Sequence, residues 1–239
     1  MTHLSDLRRM LVRALWGVLV GLIACFWAAE HLLAWLLAPI QKSMGENARL
    51  IVLSPHEYFF TEMKAAFIGG VLLSSPWIFY QIWLFVAPGL YKTEKKMAAV
   101  FVGVTAFCFV GGVMFAQYCV FPSMFSFFLG TLPAYIEGQY SIGLLFAFSS
   151  NLLLVFGLVF ETPVLVFMLA FMDLVALSTL KSVRRYVIVV AFIVAAILTP
   201  TPDPMTQTMM AVPMILLYEL GLFLARLAKM RLNQVADLV

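Results

Sequence analysis

Few side chains in this chain are equipped for chemistry, and their placement says more than their number. Two carboxylates stand among cations: Asp6 beside Arg8 and Arg9, and Glu94 beside Lys92, Lys95 and Lys96. An acid among bases is ordinarily a surface ion pair contributing at most ~1 kcal/mol. If two such acids converge, they form a fork suited to guanidinium groups, which bind carboxylates bidentately. Phe85 and Leu90 would lay an apolar bed alongside. A third acid, Glu161, stands alone inside an apolar run, in Phe156-Gly157-Leu158-Val159-Phe160-Glu161-Thr162-Pro163. A carboxylate at mid-span costs ~2.5–3.5 kcal/mol on insertion scales, so it should face protein or water rather than lipid. Pro163 frees the carbonyl of Val159 and invites a kink there. Its plainest role is a carboxyl held for helix packing; its functional one is a polar point in a membrane-embedded concavity. The fourth group is Asp203 with Gln207, whose side chains would suit a hydrogen bond to another protein's helix or a bond within the fold.

Catalytic patterns are missing. The sequence has no HExxH, no GxSxG and no paired intramembrane aspartates, so neither hydrolysis nor intramembrane proteolysis has the groups it needs. His3 is expected on one side of the membrane and His31 and His56 on the other. Cys25, Cys108 and Cys119 lie in apolar runs without metal-ligand or CxxC spacing, and read as packed thiols. No cofactor and no metal is expected. No basic face is free of a membrane-orienting role, which argues against a nucleic-acid partner.

The elements that must position these groups follow from composition. Of 239 residues, 64% are hydrophobic and 11% charged, against about 25% charged in soluble domains. The chain reads as an all-α polytopic membrane protein, one integral membrane domain over 1–239 with six transmembrane helices. The spans are expected at about 14–29, 62–86, 97–121, 150–172, 186–199 and 205–224. The fifth apolar run, Tyr186–Thr199, has 14 residues and reaches about 21 Å, short of a hydrocarbon core of roughly 30 Å. The last two spans are therefore short, which forces thinning, tilting or a covering partner.

Pro39 is expected to end a helical stretch after Leu32–Leu37, Pro88-Gly89 to end the second span, and 122–149 to form a loop. Lys64 is a membrane-edge charge with Glu62 or Glu57 as possible partners. Trp77, Tyr80 and Trp83 read as interface aromatics. Twelve of the fifteen basic residues fall on one side by this scheme: Arg8, Arg9, Arg13, Lys92, Lys95, Lys96, Lys181, Arg184, Arg185, Arg226, Lys229 and Arg231. The positive-inside rule then puts both termini in the cytoplasm. The polar, basic start through Arg13 reads as a cytoplasmic anchor rather than a cleaved signal peptide.

Three readings remain on these residues: a receptor that uses Glu94, a secondary transporter built on Glu161, and a membrane scaffold that tolerates loss of either acid. A resemblance separates them. His3-Leu4 with Leu7-Arg8, Pro55 with Phe59-Phe60 and Lys64, Ser75-Pro76, Tyr80-Gln81-Ile82-Trp83, and the whole Phe85–Glu94 stretch resemble the twin-arginine protein translocase subunit TatC. Phe160-Glu161-Thr162-Pro163, Arg185-Tyr186, Leu198-Thr199-Pro200, Asp203, Gln207, Pro213 and Tyr218-Glu219 extend the likeness to nearly the entire chain.

The resemblance implies a receptor and core scaffold in the cytoplasmic membrane of a prokaryote, not an enzyme. It would bind signal peptides with consecutive arginines on folded cargo, with export driven by the proton gradient. Carried over, Glu94 is the principal arginine acceptor, with Asp6, Arg8, Phe85, Leu90, Tyr91 and Lys92 shaping the site. Asp6 replaces the glutamate of the family's HLxELR pattern and is one methylene shorter. Glu161 matches a buried glutamate in a concave, glove-like face. Asp203 and Gln207 match positions where single-span partner subunits of the TatA and TatB type dock. Several copies of the chain are expected in the complex.

Overall fold

The computed structural model describes residues 2–44, 50–86, 95–131, 139–172, 174–199 and 203–236. The chain is helical throughout these residues apart from two two-residue strands and short turns. In order, the elements are α1 (Thr2–Phe26), α2 (Ala29–Met44), β1 (Leu50–Ile51), α3 (Glu57–Val86) and α4 (Lys95–Phe115). A π-helical turn (Ala116–Val120) leads into α5 (Phe121–Gly130), followed by β2 (Tyr140–Ser141), α6 (Ile142–Val159), α7 (Thr162–Phe171), α8 (Leu177–Leu198) and α9 (Pro204–Ala236).

Among the described residues, five helical stretches are long and apolar enough to cross a membrane: Leu7–Phe26, Glu57–Leu84, Val100–Gly130, Ile142–Phe171 and Pro204–Met230. The fifth expected span falls in α8, a 22-residue helix with Lys181, Arg184 and Arg185 in its first half. Only its second half is continuously apolar. The helix begins at Leu177, nine residues before the expected start of that span at 186.

Several helix ends differ from the sequence reading, and prolines account for most of the differences. Pro39 does not end its helix: α2 runs through it to Met44. A proline inside a helix leaves the carbonyl four residues earlier without its N–H partner, here that of Trp35. Gln117, 1% exposed, donates its Nε2 into that carbonyl at 2.8 Å and reaches the Leu36 carbonyl at 3.3 Å. Pro76 inside α3 is treated alike, by its own neighbour: Ser75 Oγ donates to the freed Leu72 carbonyl at 2.8 Å. Such replacement donors are what make proline tolerable in apolar helices.

Pro122 does not open a loop either. It follows closely on the π-helical turn, inside one helical stretch that runs Val100–Gly130, and helix continues to Gly130 beyond the third span expected to stop near 121. The helix of the fourth expected span, α6, begins at Ile142, not at Ser150. The expected loop over 122–149 is thus helical at both ends, over 122–130 and 142–149.

The helices group into two compact units, Met1–Leu153 and Leu154–Val239. In the first, α1 runs antiparallel along α3, and α2 packs on α3 and α5. Strands β1 and β2 pair in parallel, Leu50 with Tyr140 and Ile51 with Ser141. In the second, α7 and α8 each pack on α9, around Val166, Ala170, Leu180, Tyr218, Leu222 and Ala225. Gly221 sets the approach there: a Cβ on it would lie 2.9 Å from both Pro163 Cα and Val166 Cβ. Tyr218 donates its hydroxyl to the Leu180 carbonyl at 2.6 Å, which satisfies a phenol that is otherwise buried.

Candidate functional site

Of the residues expected to recognise a signal peptide, Leu90, Tyr91, Lys92 and Glu94 lie outside the described residues. The structure fixes what surrounds them in the chain. Asp6 and Arg8 belong to the first turns of α1, with Arg8 exposed. Phe85 belongs to the last turn of α3, which ends at Val86, and α4 starts at Lys95. Two aromatic pairs join these last two helices. Trp83 stacks on Phe101 with ring centroids 5.3 Å apart, and Phe79 meets Phe109 edge to face at 5.4 Å. The Trp83 stack stands within one turn of Val86, so the helices that deliver the 87–94 stretch are tied together beside it.

Glu161 stands at the junction of α6 and α7. Pro163 withholds the N–H that Val159 would have bonded, and the helix breaks between Val159 and Thr162. Glu161 is 6% exposed, and its Oε1 has no hydrogen-bond partner among the described residues. A buried carboxyl oxygen left without a donor is costly, and the fold supports it nonetheless.

Asp203 and Gln207 do different work from each other. Asp203 Oδ2 accepts from the Thr206 backbone N–H at 2.7 Å and from the Thr206 hydroxyl at 2.6 Å. It is thus bonded to the first turn of α9 as capping residues are. Gln207 is half-buried in that turn, beside a fully buried Thr206 and an exposed Thr208.

Three placements were not read from the sequence. Glu57 does not pair with Lys64. Its carboxylate accepts from the backbone N–H of Leu53, the Ser141 hydroxyl and the Gly143 N–H, the last at 2.9 Å. Gly143 is required for the fit, since a Cβ there would lie 2.7 Å from Glu57 Oε1. Glu62 does not pair with Lys64 either, because residues two apart face different sides of a helix. Among the described residues Lys64 has no ion-pair partner; it lines a cleft of about 560 Å³ together with His56, Phe60 and Leu144. Arg184, counted among the orienting cations, is held in an ion pair with Glu219. Trp77, read as an interface aromatic, donates its Nε1 to the Arg13 carbonyl at 2.9 Å. The spacing Gly17…Gly21 opposite Gly69-Gly70 was the available signal for that close α1–α3 approach.

Residues 2–213 match the family described as Sec-independent protein translocase protein (TatC). The chain belongs to that family. It is 40% identical over 224 residues to TatC of Magnetococcus marinus, covering 94% of this chain and 82% of that one. To TatC of Escherichia coli strain K12 it is 34% identical over 225 residues, covering 94% and 87%. The fold is similar to a crystal structure of the twin arginine translocase receptor TatC, with a TM-score of 0.85 and 34% identity. That likeness covers 95% of this chain and 99% of the solved one. The TatC family is a component of a protein translocase rather than a group of catalysts, and the apolar helices place this member in a membrane.

Proposed function

We propose that this protein is the receptor subunit of a twin-arginine translocase. It binds paired-arginine signal peptides of folded proteins through Glu94, with Asp6, Arg8, Phe85, Leu90, Tyr91 and Lys92 shaping the site. The observation that carries this reading is the likeness, over nearly the full length of both chains, to a solved structure described as the twin arginine translocase receptor. The chemistry agrees. A carboxylate offers the bidentate acceptor that tells guanidinium from ammonium, and Glu94 stands eight residues past the end of α3 and one before α4.

On this reading the whole chain acts as one membrane domain of six spans, α8 with α9 supplying the last two. The basic clusters and both termini face the cytoplasm. Asp203 caps α9, so Gln207 is the residue offered to a single-span partner helix of the TatA or TatB type, in a complex holding several copies of the chain. Glu161 supplies a buried polar point for the same partners or for the peptide. Transport energy is the proton gradient.

The test is binding of a labelled signal peptide to the purified protein, comparing Arg-Arg with Lys-Lys, with and without Glu94→Gln. The neutral amide keeps the size and loses one charge-assisted pair, so Arg-Arg affinity should fall by about tenfold or more while the protein stays inserted. Binding indifferent to both the arginines and Glu94 would overturn the receptor reading.

A further inference from the structure

We propose that the cleft between the first turns of α3 and α6 holds one bilayer phospholipid. Its phosphodiester lies on the Lys64 ammonium and its acyl chains run along Phe60 and Leu144. The site is independent of the receptor reading and would stand if Glu94 bound no peptide.

The cleft, about 560 Å³ in volume, lies wholly within the first unit. One wall is a single face of α3, where Glu57, Phe60, Thr61 and Lys64 follow at i, i+3, i+4 and i+7. Gly143, Leu144 and Ala147 of α6 form the other. The Glu57 clasp ties the two helix starts together, and from there the lining runs into the spans as far as Lys64 and Ala147. Phe60 and Leu144 remain 52% and 71% exposed. In a bilayer, apolar side chains so placed are covered by lipid.

Most donors in this lining are already engaged. The Leu53 N–H, the Ser141 hydroxyl and the Gly143 N–H all serve the Glu57 carboxylate. Thr61 Oγ1 donates to the Glu57 carbonyl at 2.7 Å, and Ser54 Oγ lies 3.4 Å from His56 Nε2. What remains is the second ring nitrogen of His56 and the Lys64 ammonium. Lys64 carries three N–H donors and has no partner among the described residues.

Depth selects the anion. Tyr58, Phe59 and Phe60 are all exposed at the start of α3, as aromatics are at a membrane interface. A helical side chain leans toward the N-terminus, and a lysine spans about one turn, ~5.4 Å. The Lys64 ammonium is thereby carried back to the level of Phe60, as a snorkelling cation is. At that depth the abundant anion is the lipid phosphate. Glu57 is the acid that faces the cleft, and it also limits the ligand's charge. One phosphodiester suits a single free ammonium, whereas a multiply charged anion would be repelled by the carboxylate.

The experiment uses the full-length protein, delipidated in detergent micelles and titrated with dioleoylphosphatidylglycerol. Native mass spectrometry counts the bound lipids and gives the affinity of the first. Dioleoylglycerol, which has the same chains and no phosphate, and inorganic phosphate are titrated beside it. The variants are Lys64→Gln, Lys64→Arg, Ala147→Phe, which fills the cleft without touching a charge, and Lys181→Gln, which removes an exposed cation from α8. Affinity for the first phospholipid should fall about tenfold in Lys64→Gln, equivalent to about 1.4 kcal/mol, and similarly in Ala147→Phe. Lys64→Arg should stay within about threefold of the parent, and Lys181→Gln should match it. Melting temperatures should be unchanged in Lys64→Gln, since Lys64 is exposed. A phospholipid with a photoreactive group beside its phosphate should mark peptides covering 53–64 and 141–147 in the parent and lose those marks in Lys64→Gln. The proposal is overturned if the parent has no saturable first site, or if Lys64→Gln and Lys181→Gln lose affinity equally. Dioleoylglycerol binding as tightly as the phospholipid, or marks confined to other peptides, would also overturn it. Inorganic phosphate binding as tightly as the lipid would give the cleft to a free anion and end the lipid assignment.

Discussion

Gln117 and Pro39 should be thermodynamically coupled, and the size of the coupling follows from their geometry. Pro39 takes away the N–H that Trp35's carbonyl would have used, and Gln117 Nε2 replaces it at 2.8 Å. Gln117→Leu leaves that carbonyl without a donor at a buried position, a loss of about 1–3 kcal/mol. The same substitution removes Gln117 Oε1, which is buried and has no partner among the described residues, so the single variant's net effect is smaller than the loss of the bond. The coupling isolates the bond. In a Pro39→Ala background, the backbone N–H restored at position 39 serves Trp35, and Gln117→Leu no longer strands anything. Side-chain hydrogen bonds between membrane helices average ~0.6 kcal/mol with an upper value near ~1.7. A carbonyl with no alternative donor belongs toward the upper end, so a coupling of about 1–1.5 kcal/mol is expected. Reversible unfolding in mixed micelles for the four members of the cycle measures it. Trp35 Nε1, which bonds the Tyr118 hydroxyl at 3.1 Å, is untouched in every variant and reports whether α2 stays docked. If Gln117→Leu costs the same with Pro39 present as in the Pro39→Ala background, to within about 0.5 kcal/mol, the compensation argument is wrong.

Gly221→Ala should destabilise the α7–α9 contact by about 1–3 kcal/mol through overpacking, because the new methyl would meet Pro163 and Val166 at 2.9 Å; an unchanged melting temperature would show that the helices part at no cost. Glu57→Ala should speed hydrogen exchange at the Leu53 and Gly143 amides, whose acceptor it removes, while amides in the middle of α3 keep their protection. Equal rates in parent and variant would mean that the carboxylate does not hold these loops.

Much of the architecture was legible because lipid-facing helices need long apolar runs, and such runs cannot be mistaken for loops. The buried acid was legible for the same reason, since Glu161 has no polar neighbours in sequence to hide among. Ends were harder. Pro39 and Pro122 look like stops, and whether proline stops a helix depends on a replacement donor or a local change in helix winding. For Pro39 that donor is Gln117, 78 positions away in the chain, which no local pattern announces. Glu57 was misread for a similar reason: Lys64 is near in sequence, whereas Ser141 and Gly143 are near in space. The aromatics of α3 were read by type as interface residues, and type does not reveal that one indole N–H is aimed at a backbone carbonyl.

The Glu57 clasp bears on how the chain comes to be folded. Ser141 and Gly143 reach Glu57 across separations of 84 and 86 residues, and β1 meets β2 over a comparable distance through two residue pairs. Closing so long a loop carries an entropic cost that a few hydrogen bonds offset only once the intervening helices have taken their places. On a ribosome the clasp cannot close before Gly143 has emerged and α3, α4 and α5 are inserted. It is therefore a late event in the assembly of the first unit. A chain that mis-inserts any of those three helices would leave Glu57 as a bare carboxylate and Leu53 and Gly143 as bare amides.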